Sequence, residues 1–268
     1  MTGGIRLDSA LAERGIARSR THAARLIADG LVTIDGVPAL KPSLRVLPDQ
    51  DVAVAALDHY VSRAAHKLLA ALDAFPSVQV QGAHALDVGA STGGFSQVLL
   101  ERGVASVIAL DVGHAQLAPR IRSDERVRVV EGFNAREMTA ERLATAAGTD
   151  VTPTLVVADV SFISLTMVLP AVVRSVSPDA DVVILVKPQF EVGKTRIKEG
   201  IVRDPALRRE ALSDVLWSAW DVGFGVAGLT ESPLPGGAGN HEYLAHLHRV
   251  HGTIPTEWRD AVTALTTG

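Results

Sequence analysis

The chain has 268 residues and a formal charge of −4, room for one large domain or a large one with a small appendix, and no general attraction for polyanions. It contains no cysteine, which excludes disulfides, thiolate metal sites, cysteine nucleophiles and cysteine-dependent methylation at pyrimidine C5. The first residues lack the apolar run of a signal peptide and the apolar stretch Val160–Val173 is too short to span a bilayer, so a cytoplasmic protein without stable membrane insertion is expected.

Arg6–Gly15 reads as a short helix with Leu7 and Leu11 inward, and Ser19 is placed to cap a second helix running to about Asp29. On that second helix Arg18, His22 and Arg25 share one face, opposite Ala23, Leu26 and Ile27. A strand at Leu31–Ile34, a turn at Asp35-Gly36 and extended pieces through Val54 follow, with Lys41 and Arg45 projecting from the connection. Residues 1–45 carry seven Lys/Arg against four Asp/Glu, so a nucleic-acid surface, if there is one, is local and lies here. Arg6, Arg18, Arg20 and Lys41 are the candidates for phosphate contacts, although each arginine taken singly is better read as a solvated surface charge. A boundary is expected near residue 60, dividing a small domain (1–60) from a large one (61–268). From Val61 a helix begins with Leu68, Leu69 and Leu72 as packing residues and Arg63, His66 and Lys67 on its polar side. Arg63 and His66 join the RNA-contact candidates, and Lys67 is the first candidate for chemistry.

His84–Phe95 reads as the end of a buried strand, a glycine-rich turn and the start of a helix, the opening of a nucleotide-binding crevice. A nicotinamide fingerprint would read G-x-G-x-x-G, whereas this loop reads Gly89-Ala90-Ser91-Thr92-Gly93-Gly94-Phe95 and carries Asp87 two residues before its first glycine. An acid there repels a pyrophosphate and suits a cationic cofactor such as S-adenosyl-L-methionine. The loop alone also fits a glycine-rich turn in an ordinary α/β domain.

The pattern then alternates as βαβα. A strand Ser106–Val112 contains Asp111, 24 residues after Asp87, where an acid accepts hydrogen bonds from ribose hydroxyls; Val112 adjoins it. Val127–Phe133 ends at Asn134, close to where an adenine ring would lie. Leu155–Ala158 is followed by Asp159, and Val182–Val186 by Lys187-Pro188. These short β-branched runs predict strands buried on both faces of a mostly parallel sheet. A helix from Asp204 to Val222, a strand Gly225–Thr230, a turn-rich loop Pro233–Gly239 and a last strand Glu242–Leu247 complete the chain. With that last strand antiparallel, Asp87, Asp111, Asp159, Lys187 and Glu242 all fall on the edge where ligands of open α/β sheets bind.

Residues 5–55 resemble the S4 RNA-binding module. Lys67, Asp159, Lys187 and Glu242 around the Asp-x-Gly-x-Ser-x-Gly-Gly loop resemble the Lys-Asp-Lys-Glu tetrad of FtsJ-related ribose 2′-O-methyltransferases. The phrases Val61-Ser-Arg-x-Ala-His-Lys67, Asp87–Phe95, Asp159-Val-Ser-Phe-Ile-Ser-Leu165, Val186-Lys-Pro-Gln-Phe-Glu-Val-Gly193 and Ser232-Pro-Leu-Pro-Gly236 are similar to those of the TlyA family, haemolysin-named proteins that methylate ribosomal RNA. Two stretches depart from that family: Leu57-Asp-His-Tyr60 stands where an Arg-Ala-Trp sequence is expected, and Met1-Thr-Gly-Gly is less basic. The resemblance implies a seven-stranded Rossmann-like methyltransferase fold behind an S4-like domain. It also implies S-adenosyl-L-methionine held by the 87–95 loop with Asp111, Val112, Asn134 and Asp159, and cytidines of 16S or 23S rRNA, within ribosomal subunits, as substrate.

A ribose hydroxyl is a poor nucleophile at neutral pH, so an in-line methyl transfer needs alignment and removal of a proton. Lys187 is the expected base, with Lys67 nearby and partial burial favouring its neutral form, and Asp159 and Glu242 orienting the two lysines and balancing their charge. Three rival readings are disfavoured by the sequence: the missing prolines, the lack of a membrane-inserting segment and the intact tetrad and loop each argue against one. A base N-methyltransferase would carry prolines where Asp159-Val-Ser-Phe162 stands; a pore-forming haemolysin would need a membrane-inserting segment; a non-catalytic S4 protein would tolerate a vestigial cleft.

Overall fold

The computed structural model describes residues 4–17, 19–28, 30–54, 59–193, 197, 200–236 and 239–267. Arg18, the side chain of Arg25 and the linker positions Leu57 and Asp58 lie outside the described residues. The chain divides into two compact units, Met1–Arg63 and Ala64–Gly268.

In the first unit β1 (Ile5–Arg6) leads directly into α1 (Leu7–Glu13), and α2 (Arg20–Ala28) follows. The expected first helix therefore starts one residue late, because Arg6 pairs with Arg45 in the β1–β4 ladder and its backbone is extended. Ser19 does cap α2, its Oγ accepting from the His22 amide at 3.1 Å. The strands β2 (Val32–Ile34) and β3 (Val37–Pro38) are joined through Asp35 and Gly36. Both turn residues have positive φ, 51° and 78°, the backbone that a two-residue hairpin with native twist requires. The strands β4 (Arg45–Val46) and β5 (Val52–Val54) complete the unit, with β5 adding to β2 in a β3-β2-β5 sheet. Leu7, Leu11, Ala23, Leu26, Ile27 and Val32 meet in one buried cluster, so the helix faces expected to be apolar are the ones that pack.

In the second unit α3 (Ala64–Ala74) precedes β6 (His84–Val88), α4 (Gly94–Glu101), β7 (Ser106–Leu110), α5 (Pro119–Arg122) and β8 (Val127–Val130). A single 3-10 turn, Ala135–Glu137, and α6 (Ala140–Ala147) lead to β9 (Leu155–Ala158), α7 (Leu165–Val173), β10 (Asp181–Val186) and the short α8 (Pro188–Glu191). The chain closes with α9 (Pro205–Asp221), β11 (Gly225–Glu231), β12 (Tyr243–His248) and α10 (Arg259–Thr266).

One seven-stranded sheet runs in the order β11-β12-β10-β9-β6-β7-β8. Strands β6 to β10 are parallel to one another, and β12 is antiparallel to both β10 and β11. Every residue of β9 and β10 is buried, which is why these segments read as continuous β-branched runs without alternation. Two expected strands are longer than those observed. The second ends at Leu110, so Asp111 and Val112 belong to the loop beyond it, and the third ends at Val130 rather than Phe133. The chain turns off the sheet at Gly132, whose φ is +69° and where an added Cβ would lie 2.6 Å from the His114 ring. The helix α9 begins where Asp204 caps it, the carboxylate accepting from the Ala206 amide at 2.9 Å.

Candidate active site

The loop between β6 and α4 is held by two amides, Gly89 and Ala90, that donate to the Leu110 carbonyl at 2.8 and 3.1 Å. Glycine is required at two of its corners. At Gly89 φ is +85° and a Cβ would stand 2.7 Å from the Asp159 carbonyl oxygen, and at Gly93 φ is +93° and a Cβ would stand 2.8 Å from the Leu117 side chain. Gly93 is also the N-cap of α4, so the turn ends on open backbone amides at a helix start. Ser91 adopts positive φ, 47°, with its amide donating to Asp111 Oδ2 at 2.8 Å, while the Gly113 amide donates to Asp111 Oδ1 at 2.7 Å. Asp111 thus holds the loop in shape, and each of its oxygens keeps a lone pair for a further donor.

Asp87 is fully buried. Its Oδ2 accepts from Ser96 Oγ at 2.6 Å, and its Oδ1 has no partner among the described residues. Burial pushes this carboxyl up to about 7; the Ser96 hydroxyl opposes that shift, and the charges of Asp159 and Asp111 add to it. A fully buried carboxylate with an unsatisfied oxygen, beside glycines whose Cβ atoms would obstruct the loop, is the donor set a cationic amino compound fits.

The other residues assigned to cofactor binding divide. Ala90 and Phe95 are buried, Phe95 within the inward face of α4, whereas Val112 is 71 % exposed and offers apolar surface beside Asp111. Thr92 accepts through its carbonyl from the Ala118 amide at 3.1 Å, and Gly94 is the first residue of α4. Asn134 is exposed, and its side chain accepts from the Arg136 amide at 3.2 Å, capping the 3-10 turn.

Two lysine–carboxylate pairs stand at the same sheet edge. Lys187 follows β10 and Asp159 follows the adjacent parallel β9, and Lys187 Nζ lies 2.6 Å from Asp159 Oδ1. The ammonium also donates to Ser161 Oγ at 2.9 Å, and its side chain is only 10 % exposed. Lys67, in the first turns of α3, is ion-paired with Glu242, the residue before β12, and both are buried. Two acids for two lysines is therefore one carboxylate to each. Asp159 is tied to the glycine loop as well, through its amide to the Val88 carbonyl at 3.0 Å.

The residue assignments above overlook two aromatic rings at this edge. Phe162 is 93 % exposed with φ at +65°, a conformation uncommon for a bulky residue, and its ring centroid lies 5.2 Å from that of Phe190. Phe190 in turn lies 5.8 Å from Lys187 Nζ. Both rings sit in phrases that the sequence singles out, but the exposure and backbone strain of Phe162 have no sequence signal.

In the first unit Arg6 makes a bidentate pair with Asp8, at 3.0 and 2.9 Å, and Arg20 adds a third contact at 3.3 Å. The Arg6 guanidinium holds the Asp8 carboxyl well below the usual carboxylate range. The two arginine side chains stay 43 % and 62 % exposed, so their remaining N–H groups face solvent. Lys41 is exposed; Arg63 and His66 are half-buried.

The S4 domain family matches residues 5–52, and the FtsJ-like methyltransferase family matches residues 60–249. The chain is 51 % identical over 250 residues to the 16S/23S rRNA (cytidine-2′-O)-methyltransferase TlyA of Mycobacterium tuberculosis, covering 92 % of this chain and 91 % of that protein. It is 38 % identical to the protein named Hemolysin A of Brachyspira hyodysenteriae, over 90 % of this chain and 99 % of that one. A solved structure from Streptococcus thermophilus that also carries a hemolysin name superposes with a TM-score of 0.75 at 36 % identity, covering 100 % of this chain and 97 % of the other. Among the described residues no helix is long and apolar enough to cross a membrane. With its glycine loop, its paired lysines at the sheet edge and its leading S4 domain, the chain belongs to the TlyA group of FtsJ-like methyltransferases.

Proposed function

We propose that the protein is an S-adenosyl-L-methionine-dependent ribose 2′-O-methyltransferase of the cytoplasm that modifies cytidines of 16S or 23S rRNA within ribosomal subunits. In this reading the first unit docks structured RNA, through Arg6, Arg20 and Lys41 together with Arg18, and Arg63 and His66 add contacts. The observation that carries the reading is the Lys187–Asp159 pair at the carboxyl edge of β9 and β10, against the glycine loop and beside Lys67–Glu242. Asp87, Asp111, Val112 and the 89–95 loop would hold the cofactor, which supplies a methyl group activated on a sulfonium. The relative from Mycobacterium tuberculosis supports both the substrate class and the reaction.

The residues of the chain do the rest. Asp159 and Ser161 fix Lys187 Nζ in place, and the amine, after giving up the proton it carries in that ion pair, takes the proton of the 2′-hydroxyl as that oxygen attacks. Lys67 and Glu242 hold a second, compensated charge pair without leaving either group buried alone. The exposed face of Phe162, braced by Phe190, is a surface on which the target base can stack while its ribose reaches Lys187.

Lys187→Ala is expected to lower methyl transfer at least about 10³-fold while leaving cofactor and RNA binding within a factor of about two, because the group acts on the transition state. Lys187→Arg should fail equally, since a guanidinium keeps its charge and cannot be deprotonated. Tritiated methyl transfer to ribosomal subunits, followed by mapping of the methylated riboses, checks both. Near wild-type turnover in the arginine variant rules out proton removal by Lys187, and absence of 2′-O-methylated rRNA with the wild-type protein overturns the function.

A further inference from the structure

The methyl-transfer edge contains a half-buried carboxylate, Glu191, that the chemistry above does not use. Glu191, the last residue of α8, points back at the start of α7: its Oε1 accepts from the Leu165 amide at 3.0 Å and its Oε2 accepts from Ser164 Oγ. Ser164 is the N-cap of α7, its hydroxyl also taking the Thr166 amide at 3.1 Å and lying 2.7 Å from Thr166 Oγ1. A capping interaction normally comes from within the helix's own leading segment. Here a second element, 26 residues downstream, supplies it. Burial pushes the Glu191 carboxyl above its ordinary value despite these bonds, so the group is not in place for its own solvation.

The position of that bond matters more than its strength. The loop from Asp159 to Ser164 carries Asp159, Ser161 and Phe162, and the segment from Lys187 to Glu191 carries Lys187 and Phe190. Three contacts already join them at one end: Lys187 to Asp159 at 2.6 Å, Lys187 to Ser161 at 2.9 Å, and Phe162 to Phe190 at 5.2 Å between centroids. The loop is anchored at its start by the Asp159 amide on the Val88 carbonyl. Val160, Ile163 and Leu165 pack into the core, so without Glu191 the loop keeps its hydrophobic anchors and the Ser164 cap but loses its polar tie to the segment bearing Lys187, and Phe162, held at φ +65°, gains freedom to relax.

We infer that Glu191 is a positioning residue that clamps the loop bearing Asp159 and Phe162 to the segment bearing Lys187, so that the proton acceptor and the aromatic surface keep one fixed separation. This rests on the reading of Lys187 and Phe162 given above. The clamp adds no catalytic group; it acts through the two residues whose geometry it fixes, and misplacement by about 1 Å at a reacting centre lowers rates on the order of 10²-fold.

Glu191→Ala and Glu191→Gln, each in the full chain, separate this role from a general structural one. The glutamine amide can accept from the Leu165 amide through its oxygen and donate to Ser164 Oγ through its nitrogen, so it rebuilds both bonds with one reversed. The alanine variant is expected to lose about 10- to 100-fold in kcat with KM for S-adenosyl-L-methionine within about twofold, and the glutamine variant to regain most of kcat. Hydrogen–deuterium exchange, which needs no activity, should rise in the 159–166 segment of the alanine variant alone and return in the glutamine variant, with β9 and β10 unchanged. Wild-type kcat in Glu191→Ala, or a glutamine variant as impaired as the alanine one with exchange raised across β9 and β10, overturns the inference. A wild-type protein inactive on rRNA would instead sink the functional reading and leave the exchange experiment to judge the clamp.

Discussion

In the unit Met1–Arg63 the buried carboxylate, Asp8, is met by two guanidinium groups, whereas Asp87 in the unit Ala64–Gly268 is met by Ser96, with no cation beside it among the described residues, and keeps one oxygen unsatisfied. The first arrangement favours the ionised form in the free protein; the second disfavours it. The two therefore respond to pH with opposite sign. Asp8, depressed from 3.8, contributes stability that is present above the unfolded value and lost as pH falls below it. Asp87, raised from 3.8 to about 7, takes up protons on folding in that window, so its contribution favours the fold at low pH and is lost as pH rises to about 7. A carboxylate satisfied inside its own unit serves the architecture, and one left short of donors is what the proposed cofactor site requires.

Removing a partner from a satisfied pair breaks this contrast most severely. Glu242→Ala leaves Lys67 as an uncompensated buried charge and is expected to destabilise the second unit by about 3–5 kcal/mol, measured by urea unfolding. Replacing both residues, Lys67→Met with Glu242→Leu, should restore most of the stability and none of the methyl transfer, which would separate the structural from the chemical use of the pair.

A smaller effect concerns Asp87. Affinity for S-adenosyl-L-methionine should rise as pH climbs through about 7, by up to about tenfold per unit below it, with a proton released on binding. Calorimetry in buffers of different ionisation enthalpy between about pH 5.5 and 7.5 reads both quantities, below the range near 7.7–8.0 where an α-amino group itself titrates. Asp87→Asn should bind weakly and without pH dependence; a variant that kept the slope would remove Asp87 from cofactor binding.

The smallest expected change distinguishes two basic residues of the first unit. Lys41 is exposed and forms no ion pair with the described residues, whereas Arg20 shares the Asp8 charge. Lys41→Ala should lower the slope of log affinity against log salt by about 0.9, the loss of one full phosphate contact, and Arg20→Ala by less. Equal slopes would mean that Asp8 does not reduce the charge that Arg20 presents to RNA.

The order of elements and the sheet edge were legible because their signals are local. Continuous buried runs such as Val156–Ala158 and Val182–Val186 exclude the alternation of a one-sided sheet, Gly89 and Gly93 mark a turn that no side chain fits, and a polar residue directly after such a run lies at the sheet edge by connectivity alone. Strand ends were less legible: Asp111 and Phe133 read as strand residues although the chain leaves the sheet at Leu110 and Val130, and the nearby Gly113 and Gly132 were the signals of that exit.

From the sequence alone came the identity of four charged residues at one edge, but not their partners. Lys67 meets Glu242 across 175 positions and Lys187 meets Asp159 because β12, β10 and β9 are neighbours in the sheet, and pair formation depends on distances that only strand order sets. The same holds for Asp8, which draws in Arg6 from two residues away and Arg20 from twelve. It holds also for Glu191, which meets Ser164 and Leu165 across 27 and 26 positions, and for Phe162, whose positive φ has no sequence signal. Local spacing sets which face or edge a residue occupies; which charge it meets there is decided when loops of unequal length close on one another, and that is a property of the folded chain.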